Sequence, residues 1–447
     1  MLRRYLTLAL VFLALAVTFH AVPAHATETA AEKMADDYAR QEVAAAPALG
    51  NLPDYSLPPD KLELSQEKYK ALTTVSVSSA TWGIVSLVLL LWLGVAGWMR
   101  DRALRFKNRW LQGYTFLFLW ILIGSLLSLP FDMYFQHLEV HYGLSVQGWG
   151  SWFGDQGKQF LLTWIIGGLV FMLLFWIIRA FPRRWWLIFW FCTIPIVFVL
   201  LFVSPYIGHL FNHYEPLAKS NPALVTKLEE VCAKGHMDIP PDRMYLMKAS
   251  EKVTTLNADV EGFGSSKRVV VWDNTITKAP PDQILMIFGH ESGHYVLHHI
   301  ETTVPFLLAL LFFDLLAGFW FVNWAIRKWG ARWKVTDQAD WAAFAVLLLA
   351  FSLLSLVSQP VEAAFSRSHE HAADIYGEEV IHGLVPDPQA SAQGAFDTLG
   401  TLSLSDPNPW AIDVWYTFDH PAVGYRAAFG KVYNPWADGM EPKYFRK

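Results

Sequence analysis

Pro280–His294 reads PPDQILMIFGHESGH, and this stretch decides the fold. Proline is tolerated in the first turn of a helix, and Asp282 would sit near its positive end, so Pro280-Pro281-Asp282 predicts a helix start. Ile284, Leu285, Ile287 and Phe288 then supply an apolar face. The face leads into His290-Glu291-Ser292-Gly293-His294, an H-E-x-x-H pattern. Positions i and i+4 lie one above the other on a helix. Two imidazoles there can share one Zn²⁺, with Glu291 facing the water that such an ion activates. A structural zinc needs no base. The intact Glu291 therefore points to hydrolysis and away from a non-catalytic membrane scaffold, chaperone or zinc-handling protein.

A catalytic zinc usually takes three protein ligands and keeps one position for water. The extended pattern H-x-x-G-x-x-H is absent, because Leu297 and Ile300 stand at its glycine and third histidine. His298 and His299 follow too closely on the same helix, and His298 drifts off the ligand face. The better candidate is Glu370, in Ser366-Arg367-Ser368-His369-Glu370-His371-Ala372-Ala373-Asp374. If that segment is helical, Glu370 and Asp374 share a face, although an arbitrary E-x-x-x-D can also be a solvated face. Glu370 can ligate the metal, and Asp374 can accept the second N–H of a ligating histidine. His369 and His371 flank the candidate ligand.

Composition places this motif in a membrane protein. The chain has 447 residues, 53% hydrophobic, with 21 Trp and 31 Phe, and only 17% are charged, against about a quarter in soluble domains. The net charge of −5 gives no reason to expect a nucleic-acid partner. Cys192 and Cys232 form no readable disulfide framework. Residues 1–26 read as a signal peptide or a first membrane helix: Arg3 and Arg4 precede an apolar core that ends at Ala24-His25-Ala26. Residues 27–74 read as an exported polar segment of irregular chain with short helices. Four membrane helices are expected within 75–203, near Val75–Trp98, Gly113–Phe131, Phe160–Ile178 and Trp186–Val203. A polar catalytic region spans 204–303. A membrane hairpin follows over 304–358, and residues 359–447 form a C-terminal region carrying the third ligand.

Loop charges give the orientation. Arg100, Arg102, Arg105, Lys107 and Arg109 form one basic loop; Arg179, Arg183 and Arg184 form another; Arg327, Lys328, Arg332 and Lys334 form a third. The positive-inside rule makes all three cytoplasmic. Alternation then puts 204–303 and the C-terminal region outside, with the site opening to the periplasm or lumen of an integral membrane protein, a bacterial inner membrane being the expected location.

The polar region has a pattern of its own. Arg243–Met247 and Arg268–Trp272 read as strands, with Leu256–Gly264 between them and its glycines punctuating a turn. An edge strand there can hold an extended peptide by β-augmentation, although an ordinary hairpin would look the same.

The H-E-x-x-H motif, the S-R-x-x-E-x-x-A-D motif and the membrane hairpin between them resemble the type I CaaX prenyl endopeptidases, a family of integral-membrane zinc proteases. Leu210-Phe211-Asn212 with Pro216-Leu217, Asn257-Ala258 with Gly262, Lys267–Val271, and Asp419-His420-Pro421 with Arg426 extend the resemblance over about Tyr55 to Tyr433. It implies a mainly α fold: a polytopic membrane helical ring of six or seven spans around a water-filled chamber, with a small α+β gluzincin-type catalytic region. It implies one Zn²⁺ per chain on His290, His294 and Glu370, with Glu291 as the base. His420 and Arg426 would lie near the substrate or the oxyanion, and the peptide would lie along Asn257 and Ala258. The partners are then a polypeptide substrate and the lipid bilayer, with the chain a monomer. Two departures matter. The cleavage-like site after the first apolar segment and the outward-facing catalytic side differ from eukaryotic members, so a prenylated CaaX substrate is not carried over. A site-2-type intramembrane protease also uses H-E-x-x-H, but its downstream aspartate motif is absent.

Overall fold

The computed structural model describes residues 28–49 and 51–446. The expected signal segment, 1–26, lies outside the described residues. Hydropathy builds the frame. The N-terminal half contains α1 (Ala30–Leu49), α2 (Pro59–Trp92), α3 (Val95–Ala103), α4 (Arg109–His141), α5 (Trp149–Ala180) and α6 (Trp185–Gly208). Then come β1 (Tyr214–Pro216), α7 (Pro222–Lys234), β2 (Met244–Met247), β3 (Ala258–Glu261) and β4 (Arg268–Trp272). The chain ends with α8 (Pro281–Val296), α9 (His299–Trp333), α10 (Ala343–Ile381), α11 (Pro388–Leu402) and α12 (Val423–Val432). Six of these, α2, α4, α5, α6, α9 and α10, are long and apolar enough to cross a membrane. They touch in chain order, and α10 returns to α2, so the six close a ring.

Two boundaries differ most from the hydropathy reading. The first span begins at Pro59, not near Val75, and so takes up much of the segment read as irregular. Pro59 sits at the start of the helix, and the run that follows (Asp60 to Lys68) consists largely of good helix formers that hydropathy does not register. The last span does not stop near residue 358, where the expected hairpin ends. α10 runs unbroken for 39 residues and carries Glu370 and Asp374 with it.

The three basic loops meet at one end of the ring. Arg100 pairs with buried Asp340 at 2.6 Å and donates to the Lys334 carbonyl. Arg179 donates to the Ala339 carbonyl and stacks on Trp341 at 3.8 Å. Leu91, Met99, Phe116, Phe175, Trp185 and Trp341 belong to one large buried cluster that packs the ring toward this end. Glu370 lies 27 residues along α10 from Ala343, about 40 Å away at 1.5 Å per residue.

The opposite end carries the polar region between the fourth and fifth spans. Its sheet has the order β1-β2-β4-β3, with β2 and β4 parallel and the outer pairs antiparallel. The β-branched run of β4 occupies an inner position with Val269, Val270 and Val271 buried, as suits a strand covered on both faces. β3 is a free edge. Its apolar residues join Ile284, Leu285 and Phe288 of α8 and Tyr376 and Val380 of α10 in one core.

Candidate metal centre

The site is set by how closely α8 and α10 cross. A Cβ on Gly377 would come within 2.8 Å of the His290 backbone nitrogen, and one on Gly289 within 2.9 Å of the Gly377 carbonyl. Only glycine allows this approach, which brings a residue of α10 beside the histidines of α8.

At the crossing, ring nitrogens of His290 and His294 and a carboxylate oxygen of Glu370 lie within 4.8 Å of one another. The two Nε2 atoms are 3.1 Å apart, and they stand 3.2 and 3.4 Å from Glu370 Oε2 and Oε1 respectively. His290 and Glu370 are buried. Glu370 Oε2 makes no well-angled hydrogen bond, although His290 and His420 nitrogens stand 3.2 and 3.0 Å away. A buried carboxylate oxygen left without a hydrogen bond beside two imidazole nitrogens fits a shared cation, and two nitrogens with one carboxylate fit zinc. Glu291 lies beside them, its Oε1 4.0 Å from His290 Nε2. Burial pushes its carboxyl up to about 7, against the opposing pull of His290.

Behind the ring of His290, Asp374 Oδ1 lies 2.8 Å from Nδ1, as the shared helix face predicts. Arg426 differs from the expectation of a group near the oxyanion. Its Nε and Nη2 donate to the two oxygens of Asp374 at 2.9 and 2.6 Å, and it is buried over Phe396. The guanidinium therefore lies behind the histidine, because Asp374 is the buried anion it can pair with. His420 lies beside Glu370. Its half-exposed ring brings Nε2 within 3.0 Å of Glu370 Oε2, and Asp419 accepts from Nδ1 at 2.8 Å. Burial would lower its pKa, but Asp419 and Glu370 outweigh that and raise it to about 9.

A cavity of 650 Å³ opens in front of Glu291, His294 and Glu370, with Val260, Gly262, Lys267, Tyr295 and Phe306 among its lining. Asn257 and Ala258 are not on it. Asn257 turns inward: its carbonyl accepts from Trp272 N and Thr275 Oγ1, its N–H donates to Thr275, and its side chain donates to Asp259. The alternation of an antiparallel pair then directs the main-chain groups of Ala258 and Val260 to the free edge, and of these only Val260 lines the cavity.

Three residues without a sequence-derived role hold the site together. Arg367 donates to the carbonyls of Val414 and Phe418 at 2.9 and 2.6 Å and so grips the loop that delivers His420. Gly377 sets the helix crossing. His299 is not on the helix of His294. α8 ends at Val296, His298 takes a left-handed conformation (φ 57°), and His299 begins α9 with its Nδ1 2.8 Å from His294 Nδ1. The spacing A-x-x-x-G at Ala373 and Gly377, opposite Gly289 and Gly293, is the one signal that could have exposed the crossing.

Known proteins match along most of the chain. Residues 50–213 match the model for the CAAX prenyl protease N-terminal domain of five membrane helices, and residues 218–429 match peptidase family M48. An uncharacterized metalloprotease of Bacillus subtilis, YhfN, is 33% identical over 320 residues, which cover 70% of this chain and 72% of that protein. CAAX prenyl protease 1 of Saccharomyces cerevisiae is 25% identical over 333 residues, 70% of this chain and 71% of the yeast protein. The crystal structure of S. mikatae Ste24p shares the fold, with a TM-score of 0.73 at 19% identity over 89% of this chain and 95% of that one.

Proposed function

This chain belongs to peptidase family M48, an integral-membrane metalloprotease with the CAAX prenyl protease N-terminal domain, and we propose that it is a zinc endopeptidase acting on exported or membrane-associated polypeptides at the periplasmic or lumenal face. The observation that carries this reading is the convergence of His290, His294 and Glu370 beside Glu291 at the mouth of one cavity.

His290, His294 and Glu370 would hold the ion. When bound, zinc supplies Lewis acidity to the scissile carbonyl and to the attacking water. Glu291 takes the proton of that water and hands it to the leaving amine. His420, with Nδ1 tied to Asp419, presents Nε2–H to the developing oxyanion, a contribution of about 3 kcal/mol for such donors. Arg426 acts at one remove: it fixes Asp374, which fixes His290. The peptide lies extended along the free edge of β3, with Val260 rather than Asn257 beside the cleft.

The orientation rests on the ring. Arg100, Arg179 and the 334–341 turn meet at the end of α10 remote from Glu370, so a cytoplasmic basic end leaves the site outside. The relatives named CAAX prenyl proteases are named for prenylated substrates. A site on the outer face would not meet cytosolic prenylated proteins, and we do not assign that substrate here.

The test is cleavage of an unstructured reporter polypeptide by purified wild type beside Glu291→Gln. Cleavage by wild type alone supports the reading. Equal cleavage by both variants, or by neither, counts against it. Orientation is tested separately with Ser265→Cys, at an exposed position near β4. Labelling of intact cells by an impermeant maleimide is expected, and labelling only from the cytoplasmic side would reverse the topology.

A further inference from the structure

The two histidines of the metal centre are backed by different chemistry. His290 turns Nδ1 to a carboxylate, Asp374, which is itself held by Arg426. His294 turns Nδ1 to another imidazole, His299, at 2.8 Å. No carboxylate pairs with His299 among the described residues. On an unbroken helix a residue five positions on would point about 140° away from His294. The left-handed turn at His298 brings His299 back over it. The ring plane of His299 is fixed in turn. His369 stacks on it at 4.1 Å with the planes 4° apart, and Thr302 and Thr303 hydroxyls stand 3.3 Å from the two nitrogens of His369. An ordered stack, a helix break and a short N···N contact converge on one atom of His294, the nitrogen that does not face Glu370.

We propose that His299 is a positioning residue for the metal centre: as a neutral imidazole it accepts Nδ1–H of His294 and holds Nε2 of that ring toward the ion. Two imidazole nitrogens at 2.8 Å must be one donor and one acceptor. His294 has Nε2 toward His290 and Glu370 and therefore carries its proton on Nδ1. His299 accepts at Nδ1 and carries its own proton on Nε2. A neutral acceptor raises ligand basicity less than a carboxylate does, so His294 is the weaker of the two nitrogen ligands. This inference rests on the assignment of His290, His294 and Glu370 as ligands.

The test exploits the shapes of two amides. In His299→Asn the side-chain oxygen replaces Nδ1 and keeps the acceptor, whereas in His299→Gln the amide replaces Nε2 and leaves nothing against His294. Zinc affinity of the purified full-length protein is read by competition with a chromophoric chelator, and ligand geometry by the visible absorption of the cobalt-substituted form. Gln is expected to weaken zinc about 10- to 100-fold and alter the cobalt bands, while Asn stays within about threefold of wild type with unchanged bands. Equal affinities in all three proteins, or equal losses in Asn and Gln, overturn the proposal. Failure of the ligand assignment looks different: Glu370→Ala would then bind zinc as tightly as wild type.

Discussion

Asp340 and Glu370 are buried carboxylates at opposite ends of the same ring, and the fold treats them in opposite ways. Asp340 has every need met by the chain. Arg100 donates at 2.6 Å, Thr336 from both N and Oγ1, and Ala342 from its N–H. Glu370 is faced by three histidines, and its Oε2 is left without a hydrogen bond. Along α10 the surplus continues, for Glu378 is also buried with an unpartnered oxygen. Burying a charge is costly unless a partner compensates it. One end of the ring supplies the partner from its own sequence and becomes a closed structural joint. The other, on the function proposed above, reserves room for a cation, and the proposed chemistry sits where the chain leaves its electrostatics unfinished.

The sharpest way to break this contrast is at the reserved end. Glu370→Ala is expected to lose the metal and all turnover with the fold retained, and Glu291→Gln to keep one zinc per chain while turnover falls by about 10²- to 10⁴-fold. Metal analysis beside the reporter assay separates the two. Tight zinc in Glu370→Ala would show that the carboxylate is not reserved for a cation.

The closed joint should fail in the converse manner. Asp340→Ala takes from Arg100 its buried partner, leaving it the exposed Asp101 and the Lys334 carbonyl, and strips Thr336 and Ala342 of their acceptor, at a cost of about 3 kcal/mol, the low end for breaking such a pair. Denaturation in detergent is expected to shift strongly, while the folded fraction still binds zinc with wild-type affinity. A zinc defect in Asp340→Ala would mean that the two ends are coupled, which the contrast denies. Gly377→Ala should fall between these. The added Cβ meets the His290 backbone at 2.8 Å, so α8 and α10 must separate, with about 1–3 kcal/mol lost to overpacking. Because the crossing sets the ligand spacing, zinc affinity should fall together with stability in this variant.

Much of this was legible, and what was not has a common cause. The H-E-x-x-H helix, β4 and the six apolar helices follow from local pattern: a period of 3.6, a β-branched run, and length against bilayer thickness. That Glu370 and Asp374 share a face was readable from one helix turn of spacing. α1 was not readable. Its buried stripe is Ala31, Ala35 and Ala39 packed on Phe429 and Tyr433, and alanine carries too little hydropathy to mark a face. The direction of Arg426 depends on Asp374, 52 residues away. The return of His299 to His294 depends on a positive φ at a non-glycine residue. Interior contacts between distant segments and unusual backbone angles leave no periodic trace.

The smallest expected effect tests the contrast inside the catalytic region, where a third carboxylate, Asp259, is neither closed off nor reserved. Burial, reinforced by Glu261, pushes it up to about 6. Its relief comes from Trp272 and from the Asn257 side-chain amide, the latter at 2.9 Å. In the unfolded chain an aspartate titrates near about 3.9. A carboxyl with a raised folded-state pKa favours the fold fully below about pH 4, and this contribution is lost as pH rises through about 6. At pH 7, then, the charge on Asp259 works against the native state. Asp259→Asn removes the charge with little change of shape. Its melting temperature should exceed wild type at pH 7, and the difference should shrink to nothing near pH 4. Groups remote from Asp259 titrate alike in both proteins, and relief of Glu291, which Asp259 helps to raise, adds in the same direction. An Asp259→Asn protein less stable than wild type at pH 7 would mean that this carboxylate has a cationic partner after all, and that the catalytic end holds one charge the fold has already compensated.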